Sequence, residues 1–269
     1  MPSETLMPGS IWPVWLRVRS LCEHHVMDST SFVAQASSKI GTMGSAFYFH
    51  PSTIAVGKAN GLDGFRFYVL GRGGVLGDVE SAVVSSAFGW WNSESIDKMW
   101  NSARTIMAPR DAGRLYMKCA QDFGRATFSG LSGLADFCAS AAKISAAIDN
   151  AGLSLYAGTA AEPLAEDLPA RAMQYLVALR EYRGSAHLVA ALAHGVSPRV
   201  AHLIRRPDMY KSFGWPDPAP EVADADRSAL AAADKTTDQM AASVYGVLSA
   251  DEAAQFLATL EAMESALQG

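Results

Sequence analysis

The densest group of chemistry-bearing side chains in this 269-residue sequence is Arg180, Glu181, Arg183 and His187, all within one short run. Two guanidiniums offer bidentate donors to a planar anion, and an imidazole titrates near neutral pH. His187 and Glu181 are therefore the candidate acid–base residues, with Arg180, Tyr182 and Arg183 as candidate ligand contacts. The structural alternative is an Arg–Glu pair that only fixes a helical hairpin, with Arg180 or Arg183 held by Glu181 or Asp208.

A second set, His50, Tyr68 and Arg72, stands in a related pattern. His50 is followed by apolar Ile54, Ala55 and Val56, the turn Gly61-Leu62, a second short helix and Arg72. His187 is followed by Leu188, Val189 and Leu192, the turn Gly195-Val196, a second short helix and Arg205. Helix, glycine turn, helix is the skeleton of a helix-turn-helix. Were the two halves related by a pseudo-twofold, His50 and His187 would face one central cavity, a common place for a small-molecule site. Alternatively His50 caps the helix that Pro51 starts. Trp90 and Trp91, with Trp100, Phe88 and Met99 nearby, would line a pocket for a flat hydrophobic ligand or pack the core.

Other chemistries find little support. Gly71 to Gly77 is glycine-rich but lacks the Gly-Lys-Ser/Thr end of a phosphate loop, and a turn between helices fits it better. Cys22, His24 and His25 have metal-compatible spacing without a second ligand cluster, so no metal is expected. Cys22, Cys119 and Cys138 are odd in number and widely spaced, which fits a reducing compartment. No hydrolase, zinc-protease or dinucleotide signature is present, so no cofactor is expected, and whether the protein is an enzyme stays open.

Helical periodicity dominates the elements that must position these residues. Asp251 to Leu267 repeats apolar residues at three- and four-residue steps behind a Ser249/Glu252 capping box. Leu134 to Ile148 and Pro169 to Glu181 read as helices; Arg183-Gly184 ends the latter, and His187 to His194 starts another. Phe65 to Leu70 fits a strand or a buried helix. Loops are expected at Gly71 to Gly77, Ser129 to Gly133, Ala157 to Asp167 and Gly214 to Pro220. Residues 1–40 mix polar, β-branched and glycine residues without a clear period. The fold class is mostly α.

The run Leu179-Arg180-Glu181-Tyr182-Arg183-Gly184-Ser185-Ala186-His187 resembles the Leu-Arg-Glu-His-Arg-Gly-Asp-Gly-His signature of an actinobacterial helix-turn-helix or MarR-like family. Tyr48-Phe49-His50-Pro51, Gly71 to Gly77, Val83 to Trp91 and Thr237-Asp238 agree with that family in order. The resemblance covers about residues 45–267. It implies two tandem winged-helix-like halves packed as one unit, 45–150 and 151–269, after an N-terminal helical segment, 1–44. Departures are Ser52 for an acid, Val75 for a proline, and Tyr182, Ser185 and Ala186 for His, Asp and Gly. After Gly214-Trp215 the family continues with a helix and a wing, whereas here Pro216 to Ala225 holds three prolines and no Lys or Arg. The second half is thus expected to lack its recognition helix and wing.

Charge agrees with that loss. The net is −5, but residues 1–215 sum to +3 and residues 216–269 to −8. Phosphate neutralisation supplies most nucleic-acid affinity, so DNA is disfavoured as a partner. The N-terminus lacks the basic-then-apolar order of a signal peptide, and no stretch is apolar enough to span a membrane, so a cytoplasmic protein is expected. The favoured function is binding of a hydrophobic small molecule, of secondary-metabolite type, between the halves, with or without cofactor-independent acid–base chemistry. The alternative is a MarR-like regulator using Arg199, Arg205, Arg206 and Lys211 as its basic face. A third reading is a structural homodimer formed through the Ala-rich Leu134 to Ala151 helix or the C-terminal helix.

Overall fold

The computed structural model describes residues 29–268, and these hold twelve α-helices and no strand. The first six are α1 (Ser29–Ser45), α2 (Pro51–Ala59), α3 (Gly64–Gly73), α4 (Ser81–Phe88), α5 (Ser93–Arg104) and α6 (Pro109–Phe128). They are followed by α7 (Leu134–Ala147), α8 (Ser154–Ala160), α9 (Leu168–Ala193), α10 (Pro198–Arg205), α11 (Asp224–Tyr245) and α12 (Ala250–Gln268). The expected mostly-α class holds. Without strands, no β-wing is present among the described residues. Cys22, His24 and His25 lie outside them.

The organising element is α9. It is 26 residues long and is packed by α1, α6, α7, α8 and α11. Ala172 to Leu179 are buried without interruption, the signature of a helix covered on all sides. Asp167 caps its start by accepting from the Ala170 amide, and Pro169 occupies the first turn, where a missing N–H costs nothing.

This helix corrects the expected break at Arg183-Gly184. Pro169 to Glu181 and His187 to His194 belong to one continuous helix. A Cβ at Gly184 would meet nothing within 4 Å, so its weak helix propensity, about 1 kcal/mol, is outweighed by packing on either side.

Phe65 to Leu70 is helical, within α3. Gly71 to Gly77 is a loop only in its last residues, because Gly71 to Gly73 complete α3 and Gly74 to Leu76 form a 3-10 turn. Its glycines serve contact: a Cβ at Gly71 would lie 2.5 Å from Tyr116, and one at Gly74 would lie 2.0 Å from the Pro109 carbonyl. They let α3 and the following turn lie directly on α6. The expected loop Ala157 to Asp167 begins inside α8.

The C-terminal helix forms as read, with the Ser249 amide donating to Glu252 and the Glu252 amide to Ser249 Oγ. The stretch after Trp215 contains no helix before α11 begins at Asp224. Part of residues 1–40 is ordered by a clear pattern after all: Phe32, Val33, Ala36, Ile40 and Met43 are buried along α1. One apolar core runs from Phe32 to Met263 and takes in Trp91 and Trp100.

Candidate functional site

At the middle of α9, Glu181 is 1% exposed and accepts from every side. Its Oε1 receives the Tyr48 hydroxyl at 2.6 Å, Arg72 Nε at 2.9 Å and Arg180 Nη1 at 2.9 Å, and its Oε2 receives Arg72 Nη2 at 2.7 Å. All three nitrogens of Arg72 are engaged, since its Nη1 donates to Tyr68 Oη at 2.8 Å. Its guanidinium also lies 4.4 Å from the Phe88 ring centroid, and that of Arg180 lies 4.8 Å from the Tyr48 ring.

Burial alone would raise the Glu181 carboxyl, but Arg72 and Arg180 overcome it and hold the pKa at about 2. A carboxylate so placed has no proton to give near neutral pH. The expectation of Glu181 as an acid–base residue is corrected on that ground: it positions the two arginines.

A cavity of about 410 Å³ opens above this network, bounded by α1, α3, α4, α8, α9, α10 and α11. Of the residues singled out in the sequence, Arg72, Trp90, Arg180, Glu181, Arg183 and His187 line it. The helix geometry explains the space. At Gly44 a Cβ would lie 2.6 Å from the Leu176 carbonyl, so α1 touches α9 backbone there, while at Gly41 and Gly184 a Cβ would meet nothing within 4 Å. Two side-chain-free positions beside a close crossing leave a hollow.

His187 sits on the cavity wall, its ring stacked on Trp90 with centroids 5.2 Å apart. Its Nδ1 is 3.1 Å from Thr237 Oγ1, and that hydroxyl already donates to the Ala233 carbonyl at 2.7 Å. With its single proton committed, Thr237 accepts from His187 Nδ1–H, and the neutral imidazole keeps Nε2 as its basic nitrogen. Burial lowers the His187 pKa, opposed by Asp234 and assisted by Arg205 and Arg183.

Four expected residues are elsewhere. His50 is exposed and caps α2, its Nδ1 2.7 Å from Ser52 Oγ, so the pairing of His50 with His187 across one cavity does not occur. Tyr68 is buried behind Arg72. Trp91 is core, stacked on Phe213 at 4.2 Å. Tyr182 faces away from the cavity and donates to the Met240 carbonyl at 3.0 Å.

The structure adds Tyr48, Ser37, Gly41, Arg205 and Asp234 to this region. Tyr48 carries a signal in its sequence, standing in the Tyr-Phe-His-Pro run. Ser37 falls within residues 1–40, where the pattern is hardest to read, and Gly41 directly follows them.

The expected basic face is already occupied. Arg199 donates to the Tyr210 hydroxyl and to the Pro216 and Pro218 carbonyls. Arg205 pairs with Asp234, Lys211 with Asp217, and Arg206 with Asp208. Asp217 and Asp234 come from the acidic final quarter of the chain. Nor is α3 free to enter a groove, since Phe67 to Gly71 are buried. The outer face of α5 presents Glu94 and Asp97 beside Lys98.

Among the described residues, no group of His, Cys, Asp or Glu could hold a metal ion, and no helix is long and apolar enough to cross a membrane. Cys119 and Cys138 are free and buried, and burial pushes both thiols up to about 11.

A family model described as a helix-turn-helix family matches residues 33–269. No curated protein and no solved structure matches the chain.

Proposed function

The chain belongs to a helix-turn-helix family, and from that premise we propose that it binds a hydrophobic small molecule in the cavity on α9. The observation that carries this reading is the hollow of about 410 Å³ between a polar floor and an apolar wall of Ile40, Phe88, Trp90, Leu155 and Leu179. Its size falls within the ~300–1,000 Å³ usual for ligand pockets. In this reading residues 45–150 and 151–269 are two winged-helix-derived halves of a MarR-like ancestor. Helices α3 and α4 of the first and α8 to α11 of the second enclose the ligand, with α1 as a side wall.

His187 is the group suited to proton exchange at this wall. Its lowered pKa keeps it neutral near pH 7, and Nε2 is available to accept a proton from an acidic C–H or O–H of the ligand. Glu181 takes no part beyond holding Arg72 and Arg180.

The test is saturable binding of the neutral dye N-phenyl-1-naphthylamine, read as enhanced dye emission with quenching of tryptophan emission. Trp90→Phe should remove most of the quenching. Dye emission that rises linearly without saturation would contradict the reading.

Family membership favours a second reading, a DNA-binding regulator. It is weakened by the pairing of Arg199, Arg205, Arg206 and Lys211 and by the burial of α3. Retardation of duplex DNA in low-salt gel shifts, lost as salt is raised, would restore it. The predicted result is no retardation.

A further inference from the structure

We propose that the polar end of this cavity is a receptor for a single carboxylate, so that the ligand is a hydrophobic monocarboxylic acid. The inference rests on the cavity being a ligand site.

Three donors on residues that line the cavity lack a partner. Arg180 gives only Nη1 to Glu181, which leaves its Nε–Nη2 edge, the bidentate face of a guanidinium, unpaired. Arg183 gives Nη2 to Asp238 at 2.8 Å, while its Nη1 is buried with no partner. Ser37 Oγ, on α1 across the hollow, is also buried with no partner. All three residues line the same cavity. Buried polar atoms are seldom left unpaired, and an orphan is costly unless something comes to satisfy it. Two orphans and an open guanidinium edge on residues around one cavity point to an acceptor that arrives with the ligand.

Charge fixes the kind of acceptor. Arg72 and Arg180 share the one carboxylate of Glu181, which leaves one positive charge uncompensated. The remaining cations at the rim are balanced, Arg183 by Asp238 and Arg205 by Asp234. A monoanion neutralises the surplus. A phosphate dianion would exceed it and face Asp234 as well. A planar two-oxygen group matches the guanidinium edge and leaves a lone pair for Ser37 Oγ. The aromatic and aliphatic wall then takes the body of the acid.

The experiment is calorimetric titration at neutral pH with 1-naphthoate and with 1-naphthalenemethanol, which share a ring system and differ in charge. The acid is expected to bind at least tenfold more tightly. Ser37→Ala removes an unpartnered hydroxyl, so folding stability should be unchanged or higher, while acid affinity falls several-fold and alcohol affinity holds. Arg180→Gln should abolish the preference for the acid. Equal binding of the two compounds, or acid affinity indifferent to both substitutions, would overturn the carboxylate assignment and leave the cavity reading intact. Failure of both compounds and of N-phenyl-1-naphthylamine to bind would remove the cavity reading itself.

Discussion

Arg72 of α3 and Glu181 of α9 form a bidentate pair, Nε to Oε1 at 2.9 Å and Nη2 to Oε2 at 2.7 Å, with 11% and 1% of their side chains exposed. Through it the middle of the central helix is tied to a helix more than a hundred positions earlier in the chain. The pair also forms the floor of the cavity and presents Arg180 beside it.

Breaking one partner leaves buried charge uncompensated, a loss of about 3–5 kcal/mol in comparable sites. Glu181→Gln should lower stability by this order in urea unfolding, since Arg72 and Arg180 would then face each other without a carboxylate. The double replacement of Arg72 and Glu181 by Met should cost less than the sum of the two single replacements, because neither member of that pair is left buried without the other and only Arg180 stays uncompensated.

The same pair predicts how stability depends on acid. Glu181 has a folded pKa of about 2 against an ordinary 4.5. A carboxyl with a depressed pKa contributes fully above its unfolded value and loses that contribution as pH falls through the folded one. Stability should therefore decline between about pH 5 and pH 2, and Glu181→Gln should flatten that limb. Acid unfolding followed by circular dichroism checks this. His187 adds a decline that begins higher, because its pKa is lowered from 6.5 by burial. There the unfolded state binds more protons, so stability is lost as pH drops below the ordinary histidine value.

Gly184 separates the expected helical hairpin from the continuous helix of the structure. Its Cβ position is open, so Gly184→Ala should raise stability by about 0.5–1 kcal/mol through the unfolded-state entropy it removes. Were the chain to turn at Gly184 with a positive φ, the same substitution would destabilise. Thermal unfolding distinguishes the two signs.

These particulars show what could be read from the sequence. Local periodicity sufficed for α7 and α12, whose apolar residues recur at helical spacing, and for the capping box at Ser249 and Glu252. It misplaced the end of α9 because Arg183-Gly184 carries a local stop signal that long-range packing overrides. The association of Arg180, Glu181, Arg183 and His187 was legible because they lie within one short run of the sequence. That Arg72 joins them and His50 does not depends on the packing of α3 against α6, set by contacts such as Gly71 on Tyr116. Gly41 and Ser37 were hidden for a simple reason: a cavity is made by missing side chains and unpaired atoms, and neither has a sequence period.

The most direct measurement is the affinity of N-phenyl-1-naphthylamine for the native protein and for Gly41→Leu. Gly41 lines the cavity and its Cβ position is empty, so leucine fills the hollow and also improves the helix propensity of α1. The account predicts saturable binding by the native protein, weakened at least tenfold in Gly41→Leu, with unfolding temperature unchanged or raised. Equal affinity in the two proteins would place the dye elsewhere and contradict the cavity as the binding site.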